Sequence, residues 1–377
     1  QFDRADPLFD AATRDYETTY GSRSVQLAQL LAERSLLLDG VAGRAAEEES
    51  LARRSLDLLA DRAEANFERA NALMAEGLAE RAQGRRDGAK LAIQQALVSL
   101  ESVSGPKSLD LAPGLVILGE LALESGDASE AQRFLQRALD IQTETGWTGA
   151  LGVARTMSLI SRAQASQGRL TEALAVSQKA VETLSDRLLM GASDATSKGI
   201  AEVRQSRRVG ENDIALLFES LKQPGFTDDR AAAERFLLDC QIILRTSTGA
   251  VIAQTSARFA QRNDAIGKII ADRQKLVEKI QALEAMLARG MGDRTLAMKP
   301  EERRVAIDEL LASKSAILAV DNRLRTADSR VGRLMADAPV KLDQVKAGLA
   351  EGEVLVQLLL AEHASYALFV TRDKTRI

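Results

Sequence analysis

Residues 118–141 read LGELALESGDASEAQRFLQRALDI and decide the fold. Leu118 and Leu121 stand on one side of Gly126; Leu135, Leu139 and Ile141 stand on the other. Both runs carry the apolar spacing of an amphipathic helix. Gly between them marks a helix end, because Gly takes a positive φ without a Cβ clash. Ala131 and Ala138, seven residues apart, fall on one face and let a partner helix approach closely. The stretch is therefore expected to form a helix–turn–helix pair.

The same markers recur on both sides. Residues 74–100 carry Gly84, Ala89, Ile93, Ala96 and Leu97; residues 160–184 carry Gly168, Ala173, Ser177, Ala180 and Val181. Gly84, Gly126 and Gly168 are 42 residues apart each time, and so are the two sets of alanines. One helix pair cannot bury its apolar face alone, so a fixed period predicts a stack of pairs. Upstream, residues 25–38 and 45–59 read as a further pair. Downstream, Gly210 keeps the period with Ala215 in the next alanine place, which predicts a degenerate last unit at 195–222.

These segments resemble the tetratricopeptide (TPR) repeat, with Leu118-Gly119, Gly126-Asp127, Ala131, Leu135 and Ala138-Leu139 on its small and apolar positions. The period of 42 exceeds the family's usual ~34 and implies longer helices or connections. The resemblance implies a concave face, lined by the first helix of each pair, that binds a protein or peptide. Carried across in register, that face comprises Asn71, Met74, Leu78, Glu120, Glu124, Arg155, Ser158 and Arg162. Its mix of Arg and Glu points to a polar peptide carrying both signs, and ordinary surface charge is the alternative reading.

The second half changes character. A helical pair is expected over 229–261, with the only Cys, Cys240, inside it. Then Ile266, Ile269, Arg273, Leu276, Ile280, Leu283 and Leu287 step by three and four, the spacing of a heptad seam. Pro300-Glu301-Glu302 is a helix start. After it Ile307, Leu310, Lys314, Ile317, Asp321 and Leu324 step likewise, followed by Asp328 and Val331. The short connection predicts an antiparallel hairpin in which Arg273 can meet an acid of the opposite seam. Residues 353–361 (EVLVQLLLA) and 366–372 (YALFVTR) read as a β-hairpin. The chain stops soon after it, so the sheet is expected to be incomplete.

This tail resembles the opening of a CHAT domain, a caspase- and separase-like cysteine peptidase fold. Leu349, Gly352-Glu353, Tyr366-Ala367 and Phe369-Val370-Thr371-Arg372-Asp373 carry the likeness. The resemblance implies that the helical part controls a downstream peptidase whose catalytic His and Cys have no counterpart here.

The expected fold is therefore all-α: a TPR-like α-solenoid of period 42 over 1–222, a degenerate helical pair or linker over 223–262, and a long antiparallel helical hairpin over 263–337. A short C-terminal β-hairpin over 338–377 belongs to an incomplete α/β domain. The function expected is that of a partner-binding, regulatory arm. The alternative is a scaffold that assembles through the coiled-coil hairpin, with no peptidase role. Self-association through the C-terminal hairpin is also expected, because its two edges and apolar face invite strand addition.

Composition excludes other classes. With 54 acidic and 50 basic residues the formal charge is −4, which offers no bulk positive surface for nucleic acid. One Cys and one His, out of 377 residues, leave no internal disulfide and no Cys- or His-rich metal site. No cofactor, metal or catalytic residue is expected within these residues. Cys240 in FLLDCQIIL reads as a packing residue and His363 as a turn residue, rather than as a dyad. Glu47-Glu48-Glu49 reads as a solvated helix face and Asp228-Asp229 as a helix start. Trp147 reads as packing between repeats. No apolar run reaches the ~20 residues of a membrane span. The sequence begins at Gln1, which suits an exported chain that lost a leader as well as a trimmed cytosolic one, so the compartment stays open.

Overall fold

In the computed structural model, Gly84, Gly126 and Gly168 take φ of 76°, 81° and 77° and end three successive first helices. The structure describes residues 2–62, 64–144, 150–189, 197–223, 229–243, 264–289, 300–327, 340–361 and 364–377. They form fourteen α-helices and three short strands. The chain divides into two compact units, 1–145 and 146–377.

Unit one holds α1 (Phe2–Tyr20), α2 (Val25–Leu38), α3 (Ala45–Leu59), α4 (Asn66–Ala82), α5 (Arg86–Ser104), α6 (Ala112–Glu124) and α7 (Ala128–Glu144). Unit two opens with α8 (Ala150–Ser166) and α9 (Leu170–Leu189). The pairs α4/α5, α6/α7 and α8/α9 are the three copies read from the 42-residue period.

Each turn closes in the same way. Arg85 N–H donates to the Glu80 carbonyl and Gly84 N–H to that of Arg81. Asp127 and Gly126 repeat this on Ala122 and Leu123, and Arg169 and Gly168 on Gln164 and Ala165. This is the 6→1 and 5→2 pattern of a Schellman cap, which needs a left-handed residue at the glycine position. The alanines behind the turns, Ala89, Ala131 and Ala173 with Ala96, Ala138 and Ala180, are fully buried at 0% exposure.

One more pair of places holds the period. A Cβ on Gly77 would lie 2.5 Å from Ile93 Cδ1, and a Cβ on Gly119 would lie 2.5 Å from Leu135 Cγ. In the third copy the equivalent residues are Ser161 and Ser177, both fully buried. Where the first helix keeps glycine the second brings a large aliphatic side chain; where it carries serine the second shrinks to serine.

Ion pairs join successive copies of unit one. Arg85 reaches Glu49 at 2.8 Å, Arg81 reaches Glu120 at 2.7 Å, Lys90 reaches Glu130 at 2.7 Å and Lys107 reaches Glu144 at 2.8 Å. α1, which the apolar spacing does not announce, is held the same way. Its Asp6, Asp10 and Glu17 accept from Arg44, Arg34 and Arg54.

In unit two the period fails. α10 (Ser197–Leu221) runs unbroken through Gly210, which is no turn. A Cβ there would come within 2.7 Å of Ile243 on α11 (Asp229–Ile243), so this glycine serves close helix packing. The second helix expected before Gln261 lies outside the described residues.

The long hairpin is α12 (Asp264–Arg289) and α13 (Pro300–Ala327). Val277, Ile280, Leu283 and Leu287 meet Ala306, Leu310 and Ile317, while Ile266, Ile269 and Ile270 meet Val320 and Leu324, which makes the pair antiparallel. Arg273 Nε donates to Asp321 Oδ1 at 2.7 Å inside the seam, both residues less than a tenth exposed. The seam is centred on Ala306, Ser313 and Val320 rather than on Ile307 and Lys314, which sit at its margin. Asp328 and Val331 lie outside the described residues.

α10 and α11 build a core around Phe236, Leu217 and Ile214. Onto it pack Leu342 of α14 (Leu342–Gly348), Leu359 of β1 (Leu355–Leu360), and Leu368 and Val370 of β2 (Ser365–Val370). The expected β-hairpin is thus present: β1 and β2 pair antiparallel with Leu355 opposite Val370 and Leu360 opposite Ser365. A third strand, β3 (Thr375–Arg376), continues the sheet in the order β1-β2-β3. The sheet's inner face rests on α10 and α11, the helices that precede α12 and α13 in the chain.

Candidate functional site

In unit one the expected partner face lies on α4 and α6. Asn71 is half-buried, and Met74 and Leu78 are each only 8% exposed. Met74 is held from α6: a Cβ on Gly114 would stand 3.2 Å from its Sδ. Glu120 and Glu124 do face outward, and both accept from Arg81, at 2.7 and 3.1 Å. Close by, Glu80 accepts from Arg85 at 2.7 Å. Burial lifts the Glu76 carboxyl above its usual range, with Glu80 and Glu49 pushing the same way and Arg53 opposing. The charges of this face largely answer one another. An open depression lined by Arg85, Arg86, Asp87 and Ser125 lies at the α4/α5 turn.

In unit two the expected residues lie on α8. Arg155 is half-buried and Arg162 exposed, whereas Ser158 is buried. The Ser158 carbonyl accepts from Ser161 Oγ at 2.7 Å and from Asn212 Nδ2 at 3.5 Å. Asn212 also donates to Ser161 Oγ at 2.9 Å and reaches Ser177 Oγ at 3.5 Å. α10 thus lies over this side of α8, and the two serines of the third copy are hydrogen-bonded where the earlier copies have apolar contact. Sequence spacing placed Ser158 correctly on the helix but carried no sign of the polar group that α10 brings to it.

An acid pair lies between α10 and α11. Arg235 donates from Nε to Asp213 Oδ2 at 2.5 Å, from Nη2 to Asp213 Oδ1, and to the Leu174 carbonyl at 2.9 Å. Asp239, one helical turn further along α11, is completely buried, and neither of its oxygens meets a donor. Burial and the adjacent Asp213 carboxylate hold its pKa far above the usual carboxylate range, Arg235 opposing. Asp239 therefore keeps its proton and donates it to Asp213, the arrangement of two carboxyls that cannot both ionise. The group is sealed from solvent, so it serves the packing of α10 on α11. Burial, with Asp239 beside it, pushes the Cys240 thiol up to about 12, which removes any nucleophilic thiolate. His363, Trp147 and Asp228 lie outside the described residues.

The run Glu47-Glu48-Glu49 splits. Glu47 pairs with Arg34 and Arg44, and Glu49 with Arg53 and Arg85. Glu48 is not on the solvated face at all; it is 1% exposed, with Oε1 unpartnered. Burial, then the nearby Asp39, raises its carboxyl to about 7. Among the described residues no three His, Cys, Asp or Glu side chains are grouped to hold a metal, and no helix is long and apolar enough to cross a membrane.

Buried alanines at a fixed period, and a Schellman glycine at each turn, form a tightly paired helical repeat. The tetratricopeptide repeat family model matches residues 118–186. The match covers the second and third copies, with both Gly126 and Gly168. No curated protein matches the chain. The tetratricopeptide repeat is a non-catalytic module of protein–protein interaction, and the α4/α5 pair repeats its geometry outside the matched segment.

Proposed function

We propose that this chain is the partner-binding arm of a larger regulatory protein, and that its tetratricopeptide helices take up a polar peptide. The observation that carries this is the threefold repeat of one cap and one alanine seam, with a family match to two of the copies. In unit one Met74 and Leu78 then shape the α4 and α6 face from beneath while Asn71, Glu120 and Glu124 offer it polar groups; in unit two α8 offers Arg155 and Arg162, with Ser158 buried beneath. Peptides selected from a random library on the full chain test the reading. The pair Arg155→Glu and Arg162→Glu should release them at unchanged helicity, and Arg133→Glu on α7 should retain them. Retention by the α8 pair would remove α8 from the site.

We further propose that residues 338–377 open a CHAT-like domain, so that the arm restrains or positions a cysteine peptidase. The motif residues Gly352-Glu353 and Tyr366 to Asp373 support this. So does the outer face of the sheet, where Val354, Val356, Leu358, Leu360 and Phe369 are all exposed. A cover from the rest of such a domain would bury that face. Without that cover the same face is a surface for self-association. Reading the gene beyond codon 377 tests the proposal: a His and then a Cys at strand ends of an α/β pattern support it, and a nearby stop codon refutes it.

A further inference from the structure

The two helices of the α12–α13 hairpin present unlike outer faces. Away from the seam α12 carries Lys268, Asp272 and Lys275, all exposed, and Lys279 at the seam's flank reaches Glu309 of α13 at 2.6 Å. Away from the same seam α13 carries Leu311, Ala312, Ser315, Leu318 and Ala319, also exposed, with Leu311 at 54% and Leu318 at 48%. At ~100° per residue these five cluster on the side of α13 opposite Leu310, Ile317 and Leu324. Leu311, Ser315, Leu318 and Asn322 step by four, three and four, the spacing of a second heptad seam. The two charges within the run both turn toward the first seam: Lys314 pairs with Glu284 at 3.2 Å and Asp321 with Arg273 at 2.7 Å. Single exposed leucines are ordinary on a protein surface; an uncharged heptad face on one helix, beside a charged one on its neighbour, is not.

We propose that this face joins two copies of the chain, α13 packed antiparallel on α13. The charges that bound the stripe favour this occupant. Asp308 lies at one end and Arg323 at the other, both exposed and neither ion-paired among the described residues. About a two-fold axis at Ser315, Leu311 falls against Ala319 of the second copy and Leu318 against Ala312, large against small. On the axis itself Ser315 meets Ser315 of the second copy, two short side chains that can share a hydrogen bond, so the helices can approach closely. The same axis brings Asp308 beside Arg323 of the second copy, twice per dimer. A parallel pairing would set Asp308 on Asp308 and Arg323 on Arg323, which is unfavourable. The contact depends neither on the peptide face nor on the reading of the sheet.

The test uses the full chain carrying Leu358→Lys, which removes the exposed sheet face as a competing contact, and sedimentation equilibrium at micromolar concentrations. A dimer mass is expected. Leu318→Glu, or Ser315→Glu as a second variant on the same face, should give a monomer of unchanged helicity. Asp308→Arg alone and Arg323→Asp alone should each weaken association roughly tenfold, and the two together should restore it. A monomeric parent, a dimer indifferent to both glutamate variants, or a double charge swap no tighter than the single changes would overturn the proposal.

Discussion

Gly119 on α6 lies so close to Leu135 on α7 that a Cβ on the glycine would stand 2.5 Å from Leu135 Cγ. Leu135 is fully buried and has nowhere to withdraw. Gly119→Ala is therefore expected to cost about 1–3 kcal/mol by overpacking. Leu135→Val should recover part of that loss when combined with it, although alone it leaves a cavity. Urea unfolding of the four chains measures the coupling. Strictly additive changes would mean that the two positions do not share one space.

The next expectation concerns pH and the α2/α3 pair. Glu48 is raised to about 7 in the fold and ionises near 4.5 when the chain is unfolded. Between those values the folded state holds the proton that the unfolded state has lost. Stability from this group is therefore full below about 4.5, falls as pH rises to about 7, and is flat beyond. Its size is on the order of 3 kcal/mol. Glu48→Gln should gain on the wild type between pH 5 and pH 8, read as the difference of their melting temperatures. A difference that does not change with pH would place Glu48 in water.

In the hairpin, Asp321→Leu should destabilise strongly, by about 3–5 kcal/mol, because Arg273 is then buried without its partner. Changing Asp321→Leu together with Arg273→Met should return most of the loss, since two apolar residues fit the same seam. Chemical denaturation followed by a probe placed on α12 reads both. A double variant as weak as the single one would show that the cost lies in packing rather than charge.

The acid pair between α10 and α11 separates donor from charge. Asp239→Asn keeps a donor for Asp213 and should be mild. Asp213→Asn removes the carboxylate that Arg235 grips and should cost several kcal/mol. Because the Asp239 pKa is raised, its contribution falls as pH rises above the ordinary carboxylate range, and Asp239→Asn should flatten that slope. A steeper slope in the variant would mean that Asp239 is ionised in the fold.

Much of this architecture was legible because it depends on spacing. The turn glycines, the alanine seams, the bounds of α2 and α3, the long hairpin and the paired strands follow from which positions must be small, apolar or left-handed. What escaped depends on partners distant in sequence. α1 is held largely by carboxylates that find Arg34, Arg44 and Arg54, which apolar period does not encode. Gly210 keeps the 42-residue interval yet serves α11 rather than a turn. Ser158 and Glu48 sit on the right helices but point inward, Ser158 because α10 covers it. Two-residue β3 is too short to leave a pattern.

The ion pairs between successive copies of unit one also set its mechanics. Each joins residues about one repeat apart, and most are exposed enough to add little to folding stability. Flexing or shearing one copy against the next would stretch them directly. They act as cross-braces whose tension depends on dissolved salt, since screening reaches ~8 Å at physiological ionic strength and shortens as salt rises. Unit one should then behave as a spring, stiff in dilute buffer and compliant in concentrated salt.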